Sequence, residues 1–226
     1  MICIPVAATT NEEALERMAA AFRLADLVEL RIGGIGGVDL KRLLSARKGP
    51  VIVTARRREE GGSFEGSETE RIALLCEAVR LEADFVDLEL STHAILAGTL
   101  LEEIRRGGDR TRLIVSHHDF ERTPPYRTLQ GICGRCVGRG ADIAKIATFA
   151  RSMEDNIRIL RLVGWAQRKG HPLIAHCMGE TGRVSRVTAP LFGSYLAFAS
   201  LDEGQETAPG QFTAPEMREI LRILGR

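Results

Sequence analysis

The sequence lacks an excess of charge of either sign. Lys and Arg together number 31 and Asp and Glu number 30, so the formal net charge is only +1. Binding to nucleic acid or to an anionic membrane surface favours a strongly basic protein, so this balance argues against both partners. Long hydrophobic runs are missing as well, since none approaches the roughly 18 apolar residues of a transmembrane helix. We expect no interaction with nucleic acid or membrane.

A disulfide pattern and a leader segment are also missing. The five cysteines are scattered and odd in number, unlike those of a disulfide-rich secreted domain. Cys133 and Cys136 have the C-x-x-C spacing of zinc and redox motifs, but no second ligand pair accompanies them, so we predict no metal site. The residues Met1–Pro5 begin directly as a strand, without a basic leader or cleavage site. We therefore expect a cytoplasmic protein.

Short apolar runs are present throughout the chain. Eight of them are nearly continuous in hydrophobicity, as expected for strands that are covered on both faces. They are Ile2–Ala8, Leu27–Ile32, Val51–Ala55, Phe85–Leu90, Leu113–His117, Ile143–Phe149, Leu173–Met178 and Tyr195–Leu201. Their number and spacing predict eight strands.

Amphipathic segments separate these runs. Apolar residues recur with helical spacing in three of them: Leu15, Met18, Ala19 and Phe22; Ile72, Leu75, Cys76 and Val79; Met217, Ile220, Leu221 and Leu224. Ser67-x-x-Glu70 and Thr213-x-x-Glu216 are typical capping boxes, and a helix from Asp39 to Ser45 looks short. Eight strand–helix units predict a (β/α)8 TIM barrel, one α/β domain over residues 1–226. A doubly wound open sheet is the alternative, although no glycine-rich phosphate fingerprint follows the first strand.

Lys145 is the most informative residue, because it lies in the middle of the apolar stretch Ile143–Ala147. Burial removes hydration from an ammonium group and favours the neutral amine, which is a nucleophile that forms Schiff bases with carbonyl substrates. The alternative is that the side chain reaches a polar surface while its methylene groups cover apolar neighbours.

Polar and charged residues follow almost every predicted strand. In a (β/α)8 barrel the active site lies at the carboxyl ends of the strands. Candidate residues at these ends are Glu29, Arg31, Arg56, Glu60, Asp87, Glu89, His117, His118, His176, Arg186, Thr207 and Gln211. A purely structural barrel would have little reason to gather such groups, so we expect a catalytic site there.

An ordered set of short motifs resembles the type I 3-dehydroquinate dehydratases. The motifs are Glu29-Leu30-Arg31, Glu60-Gly61-Gly62, Ser116-His117-His118-Asp119-Phe120, Lys145-Ile146-Ala147, Gly182-x-x-Ser185-Arg186 and Ala208-Pro209-Gly210-Gln211. Each is weak alone, but they occur in the family's order over nearly the whole chain. The resemblance implies a (β/α)8 barrel, usually a homodimer, which converts 3-dehydroquinate to 3-dehydroshikimate in the shikimate pathway without metal or organic cofactor.

The resemblance also implies roles for individual residues. Lys145 would form the Schiff base, His118 would act as general acid and base, and Glu60 would orient the histidine. Arg186 would bind the substrate carboxylate. The other substrate-binding residues that the resemblance implies are Glu29, Arg31, Arg56, Met178, Thr207 and Gln211.

Several positions leave alternatives open. Glu29 and Arg31 share one face of a strand and could instead form a structural ion pair, and Arg56 could be a solvated arginine like its two neighbours. Asp87 could tune Lys145 or only make a hydrogen bond inside the barrel. His117 and His118 point to opposite faces; the resemblance selects His118 and leaves His117 structural. Phe198 is expected in the core, although it could line the pocket.

Three positions depart from the pattern of the family. His176 stands where an apolar residue, commonly methionine, is expected, so the polarity of the pocket is altered. Thr207 replaces the usual serine. The glycine-rich run Gly33–Gly37 stands where an acidic residue is more common, and we interpret it as a turn.

Two other functions remain open. A class I aldolase also keeps a lysine on a barrel strand, but it would need phosphate-binding groups after strands seven and eight. A barrel that binds a ligand without turnover is the second possibility, which the joint presence of Lys145, His118 and Glu60 disfavours.

Overall fold

The structure is a computed structural model and describes residues 1–225 of the chain. Eight parallel strands form the inner layer, and a helical segment follows each of them. The strands are β1 Ile2–Ala7, β2 Leu27–Arg31, β3 Val51–Thr54, β4 Phe85–Glu89, β5 Arg112–Asp119, β6 Ile143–Phe149, β7 Leu173–Met178 and β8 Ala197–Phe198. Seven of the predicted strands are thus confirmed to within two residues at either end.

The outer layer consists of eight α-helices. They are α1 Asn11–Ala21, α2 Leu40–Ser45, α3 Glu68–Arg80, α4 Ala94–Arg106, α5 Tyr126–Gly138, α6 Met153–Arg168, α7 Arg183–Thr188 and α8 Ala214–Ile223. Both predicted capping boxes form, at Ser67 before α3 and at Thr213 before α8. The short second helix is confirmed, with Asp39 as its N-cap.

The strand order is that of a barrel. Strands β1 to β7 pair in sequence order, and β8 pairs with β1. A doubly wound sheet reverses its strand order at a switch point, so that alternative is wrong. The sheet closes through the backbone N–H of Tyr195, which donates to the carbonyl oxygen of Leu173 at 2.8 Å.

The eighth strand is much shorter than the predicted Tyr195–Leu201. Only Ala197 and Phe198 pair with β1, opposite Ile2 and Cys3. Beyond them, Ser200 pairs with the segment before α8 by donating its N–H to Phe212. Ala199 and Ser200 stay buried, which explains why the apolar run is longer than the strand. Ser200, however, hydrogen-bonds to the segment before α8 and not to β1.

The helix faces follow the predicted apolar periodicity in the middle of the chain. Ile72, Leu75, Cys76 and Val79 of α3 are all buried against the sheet. In α8 the agreement is partial, because Leu224 lies after the last helical residue and is 48% exposed. Within residues 1–225, no helix is long and apolar enough to cross a bilayer.

The glycine-rich run after β2 forms tight backbone structure. A short 3-10 helix spans Ile32–Gly34, and a turn with positive φ at Gly37 follows it. The interpretation of this run as a turn is confirmed.

Candidate active site

The interior of the barrel divides into two halves. In the half near the amino ends of the strands, nine apolar side chains pack together: Cys3, Leu27, Ile52, Phe85, Ile114, Ile143, Ile174, Leu196 and Phe198. In the half near the carboxyl ends, the inward positions are mostly polar, because side chains alternate along each strand. The cavity at this end is lined by Glu29, Arg31, Arg56, Glu60, Gly61, His118, Phe120, Lys145, Ala147, His176, Met178, Phe198, Thr207, Ala208 and Gln211.

The structure thus brings nine of the ten predicted site residues to one cavity, and Arg186 is the exception. Gly61, Phe120, Ala147 and Ala208 also line it and were not predicted as site residues. His176 and Phe198 line it as well, which the sequence analysis had left open. Period-two alternation forward from Lys145 could have identified Ala147. The roles of the ten residues stay predictions at this point.

Lys145 lies inside the barrel with only 5% of its surface exposed. Its Nζ atom is 3.2 Å from Oε1 of Glu29 and 3.1 Å from Oδ2 of Asp87. The ring centroid of Phe198 is 4.5 Å from the same atom. The alternative that Lys145 reaches a polar surface is therefore wrong. Two carboxylates therefore lie in direct contact with its Nζ atom.

Buried charges below and beside Lys145 are matched in number. Three cations, Arg56, Arg71 and Lys145, contact three carboxylates in salt bridges of 2.5 to 3.2 Å. The carboxylates belong to Glu29, Asp87 and Glu89. Because a buried charge is costly unless it is paired, this balance allows an ionic cluster to exist inside the barrel.

Asp87 contacts Lys145 and also makes hydrogen-bonded contacts inside the barrel. Its carboxylate contacts Lys145, accepts a hydrogen bond from Oγ of Ser116 at 2.6 Å, and lies 2.7 Å from Nη2 of Arg56. Burial alone would raise its pKa, yet Arg56 and Lys145 hold the pKa far below its ordinary value. Asp87 is therefore an anion beside the lysine.

Arg56 is buried, with 4% of its surface exposed, so its interpretation as a solvated arginine is wrong. Nη1 donates to Ser116 at 2.7 Å and contacts Glu89 at 3.1 Å. Despite the desolvation penalty, Asp87 and Glu89 raise the pKa of Arg56 above its ordinary value. Its position at the cavity wall leaves a role toward substrate open, beside its structural contacts.

Glu29 and Arg31 do not pair with each other among the described residues. Glu29 accepts from Oγ1 of Thr54 at 2.9 Å and contacts Lys145, whereas Arg31 donates to the carbonyl oxygen of Gly61 at 2.7 Å. Burial would raise the pKa of Glu29, but the ammonium of Lys145 keeps it below its ordinary value. The structural ion pair considered above is therefore wrong, and both side chains face the cavity.

His118 pairs with Glu60 at the rim of the same cavity. Nδ1 of the imidazole is 2.9 Å from Oε2 of Glu60, whose other oxygen accepts from Oγ of Ser91 at 2.8 Å. An ionised carboxylate can only accept hydrogen bonds, so Nδ1 carries the proton and Nε2 is left as a base. Burial, Arg56 and Lys145 lower the pKa of His118 well below 6.5. The resting ring is neutral.

The loop that carries Glu60 depends on its glycines. A 3-10 turn, Arg58–Glu60, precedes Gly61, and Arg57 and Phe64 then form an isolated bridge across the loop. A Cβ atom at Gly62 would overlap the carbonyl carbon and oxygen of Arg56. Since only glycine fits there, the Glu60-Gly61-Gly62 motif has a direct steric cause.

A segment after β8 covers the cavity. The backbone N–H of Thr207 donates to Oε1 of Gln211 at 2.9 Å, which ties the two predicted residues together. The carbonyl oxygen of Pro209 accepts from Gly179 and from Nη2 of Arg186. Gly210 has φ +77°, and a Cβ there would overlap Gly179. The segment is thus held against β7 and α7 in a closed position.

Arg186 lies beneath this segment and is only 3% exposed. Its Nε and Nη1 atoms are buried and have no hydrogen-bond partner among residues 1–225. Burial lowers its pKa to about 10, which still leaves it a cation at neutral pH. A buried guanidinium with free N–H groups on two of its nitrogens is suited to bind an anionic ligand.

Cys133 and Cys136 lie on α5 and are both fully buried. Burial raises the pKa of Cys133 to about 11 and that of Cys136 to about 12. Thiolates are the reactive and metal-binding form of cysteine, so this geometry supports a packing role. Within the described residues, no cluster of His, Cys, Asp and Glu forms a metal site.

Comparisons with known proteins agree with this architecture. The family model described as Type I 3-dehydroquinase matches residues 2–226. A 3-dehydroquinate dehydratase of Desulfotalea psychrophila is 39% identical over 223 residues, which cover 97% of this chain and 96% of that protein. One of Methanococcus maripaludis is 38% identical over 225 residues, covering 100% of both.

A solved structure gives the same result. The 3-dehydroquinate dehydratase of Geobacillus kaustophilus superposes with a TM-score of 0.87 at 31% identity, covering 99% of this chain and 90% of that one. Sequence, fold and the ordered motifs around the cavity all agree. This chain therefore belongs to the type I 3-dehydroquinase family.

Proposed function

We propose that this protein dehydrates 3-dehydroquinate to 3-dehydroshikimate, a step of the shikimate pathway, through a Schiff base on Lys145. The observation that carries the proposal is the position of Lys145, buried between Glu29 and Asp87 in the same cavity as the His118–Glu60 pair. Membership of the family supports the reaction, and the geometry supplies the groups that each step requires.

The first step is imine formation. The substrate is a β-hydroxy ketone, whose α-proton is too weakly acidic for an unaided side chain. Lys145 passes one proton to His118, and its amine attacks the ketone carbon. His118 returns that proton to the carbinolamine oxygen, which leaves as water, so that a protonated imine remains. The carboxylates of Glu29 and Asp87, 3.2 and 3.1 Å from Nζ, stabilise this cation as they stabilise the ammonium.

The second step is proton transfer. Nε2 of His118 removes the α-proton, and the electron pair enters the imine to form an enamine. Glu60 stabilises the resulting imidazolium through the 2.9 Å contact with Nδ1. When the enamine expels the β-hydroxyl group, His118 returns the proton and water departs. Hydrolysis of the imine then releases the product and restores Lys145.

Recognition of the substrate uses the remaining predicted residues. The free Nε and Nη1 of Arg186 bind the substrate carboxylate. Glu29, Arg31 and Arg56 contact hydroxyl groups, while Met178 forms an apolar wall. Thr207 and Gln211 belong to the segment that covers the cavity, so they act in closing the site over the ligand.

Neither a metal nor an organic cofactor enters this mechanism. Every proton and electron pair moves between the substrate, side chains of this chain and water. The two rival functions predict different behaviour: an aldolase would cleave a carbon–carbon bond, and a binding protein would show no turnover. Family membership favours the dehydratase over both.

Intact-protein mass spectrometry after incubation with 3-dehydroquinate and sodium borohydride tests the proposal. The chain has four lysines, and Lys41, Lys48 and Lys169 are exposed whereas Lys145 is buried. An adduct that peptide mapping assigns to Lys145, with the appearance of dehydroshikimate absorbance, would support it. An adduct on an exposed lysine, or no adduct and no absorbance, would refute it.

The variant His118→Ala separates the two steps. We expect the Lys145 adduct to form while turnover falls by about 10²- to 10⁴-fold, the usual contribution of a general acid or base. His117→Ala is the matched control, because His117 is the preceding residue on β5 and points to the opposite face. Wild-type turnover of the His118 variant would show that the acid–base assignment is wrong.

Two properties implied by the resemblance stay predictions. A homodimer is expected, and sedimentation equilibrium of the purified chain would test it. Exposed apolar side chains such as Ile157 on α6 and Phe192 after α7 are candidates for burial in such an interface. A cytoplasmic location is likewise expected, and fractionation of cells that express the protein would test it.

A further inference from the structure

His176 occupies an unusual place in the cavity. It pairs with Ala147 in the β6–β7 register, and Ala147 also pairs with His118 in the β5–β6 register. Two imidazoles therefore stand at one level of the barrel, on either side of a methyl group. This level lies one inward position above Lys145. Because Ala147 is small, the space between the two rings is part of the cavity.

The ring of His176 is held by packing. It contacts Phe198 edge-to-face, with ring centroids 6.0 Å apart and an interplanar angle of 62°. The same ring also lies against Nζ of Lys145, which is 4.5 Å from its centroid. Phe198 thus sets the relative position of the imidazole and the reacting amine. Phe198 belongs both to the apolar core of the barrel and to the wall of the cavity.

The nitrogen atoms of His176 have no protein partner. His176 is only 8% exposed, and its ring nitrogens make no hydrogen bond within residues 1–225. They are not among the fully buried atoms that lack a partner, so they retain accessible surface, and the residue lines the cavity. An imidazole that lines a cavity with both nitrogens free is arranged for a ligand.

The surroundings of His176 determine its charge. The groups that act on its charge are the cations Arg186 and Lys145 and the imidazole of His118. Burial and these cations keep its pKa well below 6.5, and the ring is neutral at neutral pH. A neutral imidazole has one N–H donor and one acceptor lone pair, which is the hydrogen-bonding complement of a hydroxyl group.

We propose that His176 is a specificity-determining residue that hydrogen-bonds a hydroxyl group of the bound substrate. The proposal rests on the function proposed above, since it takes a polyhydroxylated keto acid as ligand. The carboxylate of that ligand is left to Arg186, because a neutral ring cannot balance an anion. A methionine, the residue expected at this position, has no N–H to donate and would leave the hydroxyl unpaired.

Steady-state kinetics of His176→Met and His176→Gln test the proposal. We expect His176→Met to raise KM for 3-dehydroquinate by about tenfold, the upper range for one hydrogen bond, with kcat changed by less than about threefold. His176→Gln carries a donor and an acceptor on its amide and should recover most of the affinity. His117→Met, which loses an imidazole outside the barrel interior, should leave KM unchanged.

The outcomes separate this inference from the proposed function. If the wild type turns over and His176→Met keeps the wild-type KM, the inference is wrong and the function stands. Equal defects in the Met and Gln variants would assign His176 a packing role and also overturn it. If the wild type neither turns over nor forms the Lys145 adduct, both proposals fail.

A measurement on the unaltered protein does not depend on how the variants fold. Ligand-induced changes in the ¹⁵N shifts of the His176 ring report hydrogen bonding directly. A shift on adding 3-dehydroquinate, absent for His117, would support the inference. Unchanged His176 shifts at saturating ligand would overturn it.

Discussion

The two halves of the barrel interior differ although the same strands build both. On β6, Ile143 belongs to the apolar half and Lys145, two residues later, to the polar half. On β7 the corresponding pair is Ile174 and His176. Two residues of a strand span only about 6.6 Å. The packed hydrophobic base and the ionic site of the barrel are thus separated by only one inward-facing position along each of these strands.

This comparison shows why the ionic cluster can be buried. The apolar half contributes hydrophobic stabilisation, which the desolvation of six charged groups opposes. The polar half holds its groups through mutual contacts and leaves selected atoms free, namely Nε2 of His118 and two nitrogens of Arg186. We expect substitutions in the apolar half to change stability, and substitutions in the polar half to change chemistry.

The largest effect is expected from Lys145→Ala. Without the amine no imine forms, so turnover should fall by at least about 10⁴-fold, and borohydride should trap no adduct. Removal of the cation also leaves Glu29 and Asp87 less well balanced, which lowers the free energy of unfolding. Turnover assays and mass spectrometry measure the first effect, and urea denaturation measures the second. Residual turnover within tenfold of wild type would contradict the covalent mechanism.

Ile174→Ala tests the apolar half. Ile174 is fully buried at the base of the barrel, so the cavity left behind should lower the free energy of unfolding by about 2 to 5 kcal/mol. KM and kcat of the fraction that remains folded should stay close to wild type. Chemical denaturation and kinetics at low temperature provide the two measurements. A large change in kcat with unchanged stability would show that the halves are not separate.

Glu60→Gln tests a single contact of the polar half. The amide keeps the shape of the side chain but cannot stabilise an imidazolium, so kcat should fall by about 10- to 100-fold, the range for a hydrogen bond to a charged group. Stability should change little because Glu60 lies at the rim. An unchanged kcat would mean that Glu60 only positions the loop that carries it.

The smallest effect is the dependence of stability on pH. The pKa values of His118 and His176 in the folded protein lie well below 6.5. Burial is the main cause in both rings, and the cations Arg56 and Lys145 near His118, and Arg186 and Lys145 near His176, lower the values further, although Asp87 and Glu29 oppose this at His118. The unfolded chain therefore binds protons that the folded barrel excludes. Stability is fully present above about pH 6.5 and falls as the pH drops below it, by at most about 1.4 kcal/mol per pH unit for each ring.

Urea denaturation at several pH values checks this dependence. His118→Gln should reduce the slope between pH 6.5 and 5, since one of the two titrating rings is lost. A separate loss is expected in stronger acid, where the carboxylates of Glu29 and Asp87, whose pKa values are lowered, become protonated. If the free energy of unfolding of the variant depends on pH as steeply as that of the wild type, His118 is not buried as a neutral ring.

Most of the fold was predictable from local patterns. Near-continuous apolar runs mark strands covered on both faces, and the capping boxes at Ser67 and Thr213 mark helix starts. The eighth strand was the exception, because apolar burial continues past Phe198 after its pairing with β1 has ended. The hydrophobicity of a residue indicates whether it is buried. Where a strand begins and ends depends instead on which backbone N–H and C=O groups have a hydrogen-bonding partner in the neighbouring strand.

The candidate site was predictable to a smaller extent. Motif order and strand-end position identified nine of the residues that line the cavity. The pairing of Lys145 with Glu29 and Asp87, 116 and 58 residues away along the chain, could not be predicted. Neither could the free nitrogens of His176. These features depend on the register between neighbouring strands and on side-chain packing across the barrel.

The sequence by itself determined the alternation of strands and helices, the helix starts marked by capping boxes and the presence of a lysine in an apolar stretch. These are consequences of side-chain periodicity and local propensity, which act over a few residues. The tertiary structure alone decided which charges meet, which donors remain free and which imidazoles line the cavity with Lys145. Closing eight strands into a barrel fixes distances between residues that are remote in sequence, and no local pattern encodes those distances.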